Sequence, residues 1–503
     1  MTQPAPGAIS RRGPGARPHH AIRSRRNRRR DLLFHRLARA CLPCVLLLAG
    51  CSTYNDKVAA VRQNWSAGSW EGALAVGKTW TAGRGDSRNE VLYGLEEGTL
   101  LRAAERFEES QAAYDSTWER IREMDEKAEV RISQQGLALL VNPGQTDYEA
   151  RTYDRIMLHT YSALNHLTLG DPGAARVALN RAYQSQQRAV EKNSDRIRRT
   201  KKEIEENRDD TAEQIDVAKI AEAPETGRKL DALYEPVRSL EPYAPYVNPF
   251  SVYLDGLYFL NFAADGSDLE RGLKSMERVH SLNPGSEWLR EEYALARDIV
   301  DGKGQPDSVV VLFETGLPPI REAEKIELPL FLFGSDSVPY FAAAFPVLRF
   351  QSPFPAALSV EAGGETRRTS TIADMDRVIA QEFRDHESLV VTQAILSAAT
   401  KAAVVYAARS QAKDGSAAQA LIDIFGIVYQ AATNEPDLRT WFTLPKQIQG
   451  TRVPMPEDRR LTIGFPGSNQ KIEIALENGK VLVVHTRVTS TTANPVIHQF
   501  VLQ

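Results

Sequence analysis

The amino-acid sequence predicts a mostly α-helical protein, with an α-solenoid of helical hairpins over about residues 55–300 and a smaller α+β domain over residues 305–503. Two observations support this fold class. The same helical spacing of small and aromatic residues recurs three times before residue 300, and strand-like runs such as Ser308–Phe313 replace it afterwards. The chain has 503 residues, of which 42% are hydrophobic and 25% are charged, so it is long enough for two or three ordinary globular domains.

The N-terminal 50 residues predict a secretory signal. A basic region from Arg11 to Arg39 is followed by the apolar run Leu42–Ala49. This run is too short to cross a bilayer, because a transmembrane helix needs about 20 residues. An ordinary secretory signal would explain the basic flank and the apolar run, but it would not require a cysteine where the run ends.

The end of the signal carries a more specific motif, Leu48-Ala49-Gly50-Cys51, which resembles the bacterial lipobox. The resemblance implies that residues 1–50 are removed and that the Cys51 thiol is acylated. Several acyl chains would then hold the protein on a membrane without a transmembrane helix. Ser52 follows the cysteine in place of the aspartate that retains many lipoproteins in the inner membrane. The expected location is therefore the outer membrane, with the protein facing the periplasm.

Charge and cysteine are both unevenly distributed. Residues 1–50 hold eleven arginines and one acid, and removing these from the 62 basic and 65 acidic residues leaves residues 51–503 with a formal net charge of −13. Such an acidic body is a poor match for a nucleic-acid backbone. All three cysteines, Cys41, Cys44 and Cys51, lie within the first 51 residues. The mature chain therefore has no disulfide framework and must be stable through its core.

Three stretches before residue 300 share one spacing pattern. In each, a small residue (Gly98, Ala163 or Gly256) lies in the first helix of a predicted antiparallel pair, and small or apolar residues recur every three or four positions along the second. Repetition of this kind predicts stacked hairpins with a continuous core, and the alternative is a helical bundle with accidental spacing. The recurring positions are Phe107, Ser110, Tyr114 and Thr117 in the first pair, Ala175, Leu179 and Ala182 in the second, and Leu269, Gly272, Met276 and Val279 in the third.

This pattern resembles the tetratricopeptide repeat, in which a proline often ends the second helix, as Pro284 would here. We interpret Trp65–Leu74 as a degenerate capping unit and Trp288–Val300 as the closing helix. Repeats are expected over residues 51–183 and 249–302. The resemblance implies a curved solenoid whose concave face binds a peptide or protein segment.

A polar insert over residues 184–248 separates the second and third repeats. Gln184–Asp216 is almost wholly polar, which predicts a long solvated helix or, alternatively, an arm that reaches a partner. Glu222–Pro249 contains five prolines and is predicted to be a linker.

The region from 305 to 503 mixes strand and helix patterns. Helices are predicted at Ile372–Arg384, Ser388–Gln411 and Ala417–Ala432, and Glu477–Lys480 is a hairpin turn signal. The second of these helices is alanine-rich but has Lys401 at its centre, so we expect a buried core helix and not a membrane insert. Further strand-like runs are 345–350, 356–360, 440–444, 460–465, 471–476 and 480–488.

Known catalytic motifs are absent from the sequence. It contains no HExxH, no G-x-S-x-G and no Walker A loop. His159 and His166 lie seven residues apart on one predicted helix face and form the best candidate metal pair, but they occupy positions where repeats pack. We therefore predict no catalytic residue, no cofactor, no metal site and no enzymatic activity.

The chain resembles an uncharacterised family of bacterial tetratricopeptide outer-membrane lipoproteins. The resemblance rests on the lipobox-like motif, the repeats and the mixed C-terminal region taken together. The resemblance covers most of residues 48–503 and implies a lipid-anchored scaffold that binds a protein partner in cell-envelope biogenesis. One alternative is an envelope hydrolase or glycan-binding protein with its site in the C-terminal region. Another is an accessory lipoprotein of secretion or polysaccharide export, which would pair a partner strand with the small sheet.

The lipobox makes a direct prediction about mass. We expect the protein isolated from membranes to begin at Cys51 and to carry acyl groups, because the thiol is the acceptor of the first lipid. The Cys51→Ala variant should lose these groups and leave the membrane fraction. Intact-mass spectrometry of both proteins checks this, and an unlipidated wild-type mass would contradict the predicted anchor.

Overall fold

The computed structural model describes residues 54–82, 87–127, 144, 146–206, 215–244, 246–331, 340–411, 436–465 and 471–503. The lipobox residues Leu48, Ala49, Gly50 and Cys51 and the predicted helix Ala417–Ala432 lie outside the described residues. Tyr54–Gln503 form one compact unit, in which a helical region is followed by a region of three sheets and one long helix. A mostly α-helical chain with a C-terminal α+β region is therefore the observed architecture.

The helical region consists largely of antiparallel pairs of neighbouring helices. The predicted pairs around Gly98, Ala163 and Gly256 are all present, and their predicted second-helix faces are buried apart from Leu269, which is half-buried. The helices are α1 (Tyr54–Ser66), α2 (Trp70–Ala82), α3 (Glu90–Ala103), α4 (Phe107–Lys127), α5 (Thr152–Thr168), α6 (Pro172–Gln187), α7 (Ala189–Glu206), α8 (Val217–Glu222), α9 (Pro224–Arg238), α10 (Pro249–Asn261), α11 (Gly266–Leu282) and α12 (Glu287–Val300).

Small residues in the first helix of a pair permit close contact with the second. A Cβ atom added at Gly98 in α3 would lie 2.6 Å from Tyr114 Cδ1 in α4, which is an overlap with the ring. At the equivalent Gly256 in α10, an added Cβ would lie 3.1 Å from the side chain of Met276 in α11. The spacing that predicted the hairpins is therefore the spacing at which their helices touch.

The predicted linker over Glu222–Pro249 is wrong for its first half, which forms α9. Pro224 lies at the first position of α9, where its missing N–H has no intrahelical partner to lose. Leu230, Tyr234 and Val237 recur at helical spacing and are buried. Counting prolines overlooked this apolar stripe, which stabilises the helix through tertiary packing.

Eleven strands are described in the C-terminal region and form three sheets. A five-stranded sheet has the order β11-β10-β1-β7-β6, a four-stranded sheet has the order β5-β4-β8-β9, and β2 pairs with β3. The strands are β1 (Ser308–Thr315), β2 (Ile320–Pro329), β3 (Tyr340–Arg349), β4 (Ser359–Ala362), β5 (Glu365–Arg368), β6 (Ser370–Asp374), β7 (Gln447–Pro454), β8 (Arg460–Gly464), β9 (Lys471–Ala475), β10 (Val481–Val488) and β11 (Val496–Val501).

The five-stranded sheet is buried on both faces. Successive side chains of a strand point to opposite faces, and β1 shows this directly. Val310 and Leu312 pack in the core shared with the helices, whereas Val309 and Val311 pack in the core shared with the four-stranded sheet. The molecule is thus layered, with helices on one face of the central sheet and a smaller sheet on the other.

Two predictions about the C-terminal helices and turns are wrong. The helices predicted at Ile372–Arg384 and Ser388–Gln411 are one helix, α13 (Met375–Gln411), because the polar residues between them include no proline or glycine. Ile372 belongs instead to β6. Glu477–Lys480 does not form a hairpin, since β9 pairs with β8 and β10 pairs with β1 and β11. The turn signal marks a change of sheet, which local sequence does not distinguish from a hairpin.

Contacts between helices and sheet are close on the helix-facing side. Arg452 of β7 makes two hydrogen bonds to Glu292 of α12, with Nε–Oε1 at 2.6 Å and Nη2–Oε2 at 2.9 Å, and both side chains are largely buried. A Cβ at Gly450 of β7 would lie 2.5 Å from the Trp288 ring of α12. The regions on either side of residue 305 therefore share one core.

Substitution at two helical glycines tests the pair packing. Gly98→Ala should lower the free energy of unfolding by about 1–3 kcal/mol, because the new methyl group overlaps the Tyr114 ring and forces repacking. Gly227→Ala in α9 is the matched control, since a Cβ added there would have no atom within 4 Å. This control should stabilise the protein by about 0.4–1 kcal/mol. Denaturant unfolding of both variants measures the difference, and equal effects would contradict the packing.

Candidate functional site

The chain's own segment 439–446 covers one face of the helical region. Both carboxylate oxygens of Glu96 in α3 accept hydrogen bonds from this segment, from the Phe442 amide at 2.8 Å and from the Thr443 amide at 3.2 Å. Thr443 Oγ1 also donates to Glu96, at 2.5 Å. Burial raises the pKa of Glu96 to about 8, against the opposing effect of these hydrogen bonds.

Aromatic residues also pack between segment 439–446 and the helical region. Trp441 is fully buried, with its ring centroid 6.4 Å from Tyr114 and 6.0 Å from Tyr161, and its Nε1 donates to Thr99 Oγ1 at 3.1 Å. The predicted strand at 440–444 is not present; these residues lie along α3 without pairing in a sheet. A partner that used this face would have to displace the chain's own segment.

A buried polar cluster joins helices and sheet near this segment. Glu314 of β1 accepts hydrogen bonds from Arg487 Nη1 at 2.6 Å, His485 Nε2 at 3.1 Å and the Tyr161 hydroxyl at 3.1 Å. Burial alone would raise the pKa of Glu314, but Arg487 and His485 outweigh it and lower this pKa to about 2. All four side chains are buried. The cluster therefore fixes α5 to the central sheet.

A groove of about 590 Å³ opens between α4, the start of α5, α7 and α13. We call it the basic groove. Its apolar wall consists of Trp118, Ile121, Met124, Phe383, Leu389 and Val390. Its cations are Arg151, Arg155, Arg181, Arg188, Lys192, Arg196, Arg198, Arg199, Arg321 and Arg439, and its acids are Asp125, Asp147, Glu149, Asp195 and Asp437. A surface with twice as many cations as acids is unusual on a body with a net charge of −13.

The acids of the basic groove do not neutralise all its cations. Asp125 binds both Arg155 and Lys192, and Glu149 binds Arg196. Arg181, Arg188 and Arg199 make no ion pair with a described residue. The rim of the groove thus presents cations that are free to meet an anion.

Three buried side chains that line the basic groove each have one nitrogen atom without a hydrogen-bond partner among the described residues. These unpaired atoms are Arg151 Nε, Arg321 Nε and His386 Nε2. The three side chains belong to residues with exposed fractions of 5%, 4% and 6%. Buried polar groups are normally hydrogen-bonded, so three orphaned atoms lining one cavity are a sign of a binding site.

A second cavity, of about 340 Å³, lies between α6 and α11. Its Arg271 already binds Asp255, with Nη2–Oδ1 at 2.6 Å, and its guanidinium lies 4.0 Å from the Phe259 ring centroid. Because Arg271 already has a counter-ion within the protein, the second cavity is a weaker candidate binding site than the basic groove.

The structure places the candidate metal pair on α5, without other ligands. His159 is buried against Trp118, with ring centroids 4.4 Å apart, and burial lowers its pKa to about 3. His166 is half-buried one heptad later. Over the described ranges, no group of three or more His, Cys, Asp or Glu side chains could hold a metal ion.

The alanine-rich part of α13 packs in the protein core. The presence of Lys401 at its centre was the reason to expect a core helix and not a membrane insert. Lys401 is buried, its Nζ is 3.1 Å from Ser397 Oγ, and burial lowers its pKa to about 8. A serine beside a lysine of lowered pKa is a nucleophile–base arrangement, but the two residues line neither the basic groove nor the second cavity. Among the described helices, none is long and apolar enough to cross a membrane.

Sequence reasoning missed the residues of the basic groove. Arg321 lies in β2 among exposed glutamates and lysine, so no local pattern marks it as buried. Arg151, Arg439 and His386 come from three separate parts of the chain. The one signal in the sequence was the arginine-rich insert after Gln184, which supplies α7 and with it one wall of the groove.

The chain matches no protein-family model, no curated protein and no solved structure. The resemblance to tetratricopeptide lipoproteins therefore remains an expectation based on sequence motifs.

The buried carboxyl of Glu96 predicts a pH dependence of stability. Glu96 holds its proton in the folded state up to about pH 8, whereas its ordinary pKa is 4.5. Between these values the folded state binds one more proton than the unfolded state, so the free energy of unfolding should fall by up to about 1.4 kcal/mol per pH unit as the pH rises. Glu96→Gln should remove this part of the slope, because glutamine does not titrate.

Denaturant unfolding at several pH values between about 5 and 8 checks this difference in slope. Glu96→Gln is also expected to lower stability at every pH, since its amide N–H₂ replaces an oxygen that accepts hydrogen bonds. A variant with the wild-type slope would show that Glu96 is ionised in the folded protein.

Proposed function

We propose that this protein is a scaffold of the bacterial cell envelope, held on the outer membrane through acylated Cys51 and facing the periplasm. In this proposal it binds a protein partner at the basic groove. The observation that carries the proposal is the excess of cations in a long groove on an otherwise acidic body. The lipobox supports the membrane anchor, and the described residues offer no accessible catalytic arrangement.

The groove and not the face of α3 is the proposed partner surface. Segment 439–446 already occupies that face through Glu96 and Trp441. The basic groove combines an apolar wall with a charged rim, which is the usual anatomy of a protein interface. Clustered cations also raise the association rate of an acidic partner, because they attract it before contact.

The polar insert gains a role in this proposal. Its helix α7 is neither a free arm nor fully solvated, because Ile197 packs against Leu389 and Leu396 of α13. Lys192 and Arg196 of α7 line the basic groove. The insert that interrupts the repeats is thus the element that builds the proposed partner surface.

Charge reversal on the groove rim tests the proposal. The double variant Arg181→Glu/Arg188→Glu should lose the envelope protein that crosslinks to the wild-type chain, because both cations are exposed and make no ion pair with a described residue. Crosslinking in intact cells followed by mass spectrometry of the captured proteins is the measurement. At higher ionic strength, capture by the purified wild-type protein should weaken as well.

Arg290→Glu/Arg297→Glu is the matched control, since it makes the same change in net charge on the exposed side of α12, outside the groove. It should keep the partner. Equal capture by the rim variant and the control would refute the groove as the partner surface. Failure of the wild-type chain to capture any reproducible protein would refute the scaffold proposal itself.

A further inference from the structure

We propose that the bottom of the basic groove binds a carboxylate of an acidic segment of the partner. In this site Arg321 and Arg151 donate to the carboxylate, and His386 Nε2 accepts a hydrogen bond from an adjacent N–H of the same segment. The inference rests on the proposed function, because it names the chemistry by which the groove recognises its partner.

Arg321 is the strongest sign of a missing anion. Its guanidinium makes no hydrogen bond or ion pair with a described residue, and it lies against the Phe383 ring, 5.2 Å from the centroid. Burial and the neighbouring Arg151 lower the pKa of Arg321 to about 10. Asp437 acts on Arg321 only through its charge, because both of its oxygens are hydrogen-bonded to Arg439. A buried cation without a hydrogen-bonded counter-ion is costly to the folded state, and such a cost is characteristic of binding sites.

The carboxylates of Asp437 and Glu382, which lie near Arg321 and Arg151, already accept hydrogen bonds from other groups. Asp437 binds Arg439 through both oxygens, with Nε–Oδ1 at 2.7 Å and Nη2–Oδ2 at 3.2 Å, and its nearest approach to Arg151 is 3.9 Å. Glu382 accepts from the backbone amides of Thr152 and Tyr153 at the start of α5. Arg151 forms a long ion pair with Asp437, whereas Arg321 has no carboxylate within ion-pair distance among the described residues. An anion that binds Arg321 must therefore come from outside these groups.

The unpaired Nε2 atom of His386 requires a hydrogen-bond donor from the ligand. Its Nδ1 lies 2.8 Å from the Glu382 carbonyl oxygen, which can only accept, so Nδ1 carries a proton. Burial and Arg196 lower the pKa of His386 to about 3, which keeps the ring neutral and leaves Nε2 as an acceptor. An aspartate or glutamate within a peptide supplies both groups that the site lacks, a carboxylate and a nearby backbone N–H.

The size of the groove favours a peptide segment over a single ion. Its volume of about 590 Å³ is in the range of sites that hold ligands of many atoms. Its apolar wall, with Trp118 and Phe383, suits side chains or methylene groups of a peptide. The rim cations Arg181, Arg188 and Arg199 would meet further carboxylates of the same segment.

The test uses the full mature lipoprotein in detergent, titrated calorimetrically with hexaglutamate, with hexaglutamine and with inorganic phosphate. We expect hexaglutamate to bind and hexaglutamine not to bind. Arg321→Met should weaken hexaglutamate binding by about tenfold to a hundredfold, as expected for loss of a charged hydrogen bond. Phosphate that binds as tightly as hexaglutamate, with the same dependence on Arg321, would overturn the acidic segment as the occupant.

Thermal unfolding without ligand separates a binding role from a structural one. Arg321→Met should leave the unfolding midpoint unchanged or raise it, because it removes an unpaired buried charge. Arg452→Met is the matched control, since Arg452 is a largely buried arginine paired with Glu292 and lies outside the groove. It should lower the midpoint and leave hexaglutamate binding intact. A fall in midpoint for Arg321→Met equal to that of the control would overturn the proposal.

The two proposals fail in different ways. If hexaglutamate does not bind, or binds Arg321→Met as tightly as the wild type, the carboxylate site is wrong even where the rim variant loses its crosslinked partner. If hexaglutamate binds through Arg321 but the cells yield no partner, the site stands and the scaffold function falls.

Discussion

The five-stranded sheet has to be covered on both faces, and the rest of the structure follows from that requirement. Every residue of its central strands β1 and β10 is buried and most of them are apolar, so neither face can meet water without losing the burial that stabilises it. The four-stranded sheet covers one face and the helical region covers the other. The helical pairs therefore do not form a free array, because the central sheet packs against one side of them.

This arrangement buries polar groups between the helices and the sheet, which costs free energy. Two clusters of buried charges illustrate how the protein compensates for that cost. Around Glu314 each charge has a counter-charge within hydrogen-bond distance, which gives a fixed junction. At the bottom of the basic groove, Arg321 and Arg151 share one carboxylate, Asp437, which is already hydrogen-bonded to Arg439. The first arrangement fixes the helices to the sheet, whereas the second leaves an excess of positive charge beside a groove.

Helical pairs were predictable because their signal is local. Gly98 and Tyr114 lie in consecutive helices joined by a short turn. The period of each α-helix places these residues on one face of their helix, and the turn brings the two faces together. The strand-like run Ser308–Phe313, which became β1, was readable for the same reason. Predictions failed where a local signal had two outcomes, as at Glu477–Lys480, where a turn leads to a different sheet. Predictions also failed where the prolines of a segment indicated a linker but its buried apolar residues stabilise a helix, as in α9.

The sequence by itself determined the paired helices before residue 300 and the change to strands after it, and it predicts the lipobox-like motif that ends at Cys51. Each of these signals depends on neighbours within about one or two helical turns. Only the tertiary structure decided which surfaces are covered and which remain open. Arg321, Arg151 and His386 are far apart along the chain, and their meeting depends on how β2, α5 and α13 pack together. Burial and missing partners are properties of that packing, so the candidate site had no signature in the linear sequence.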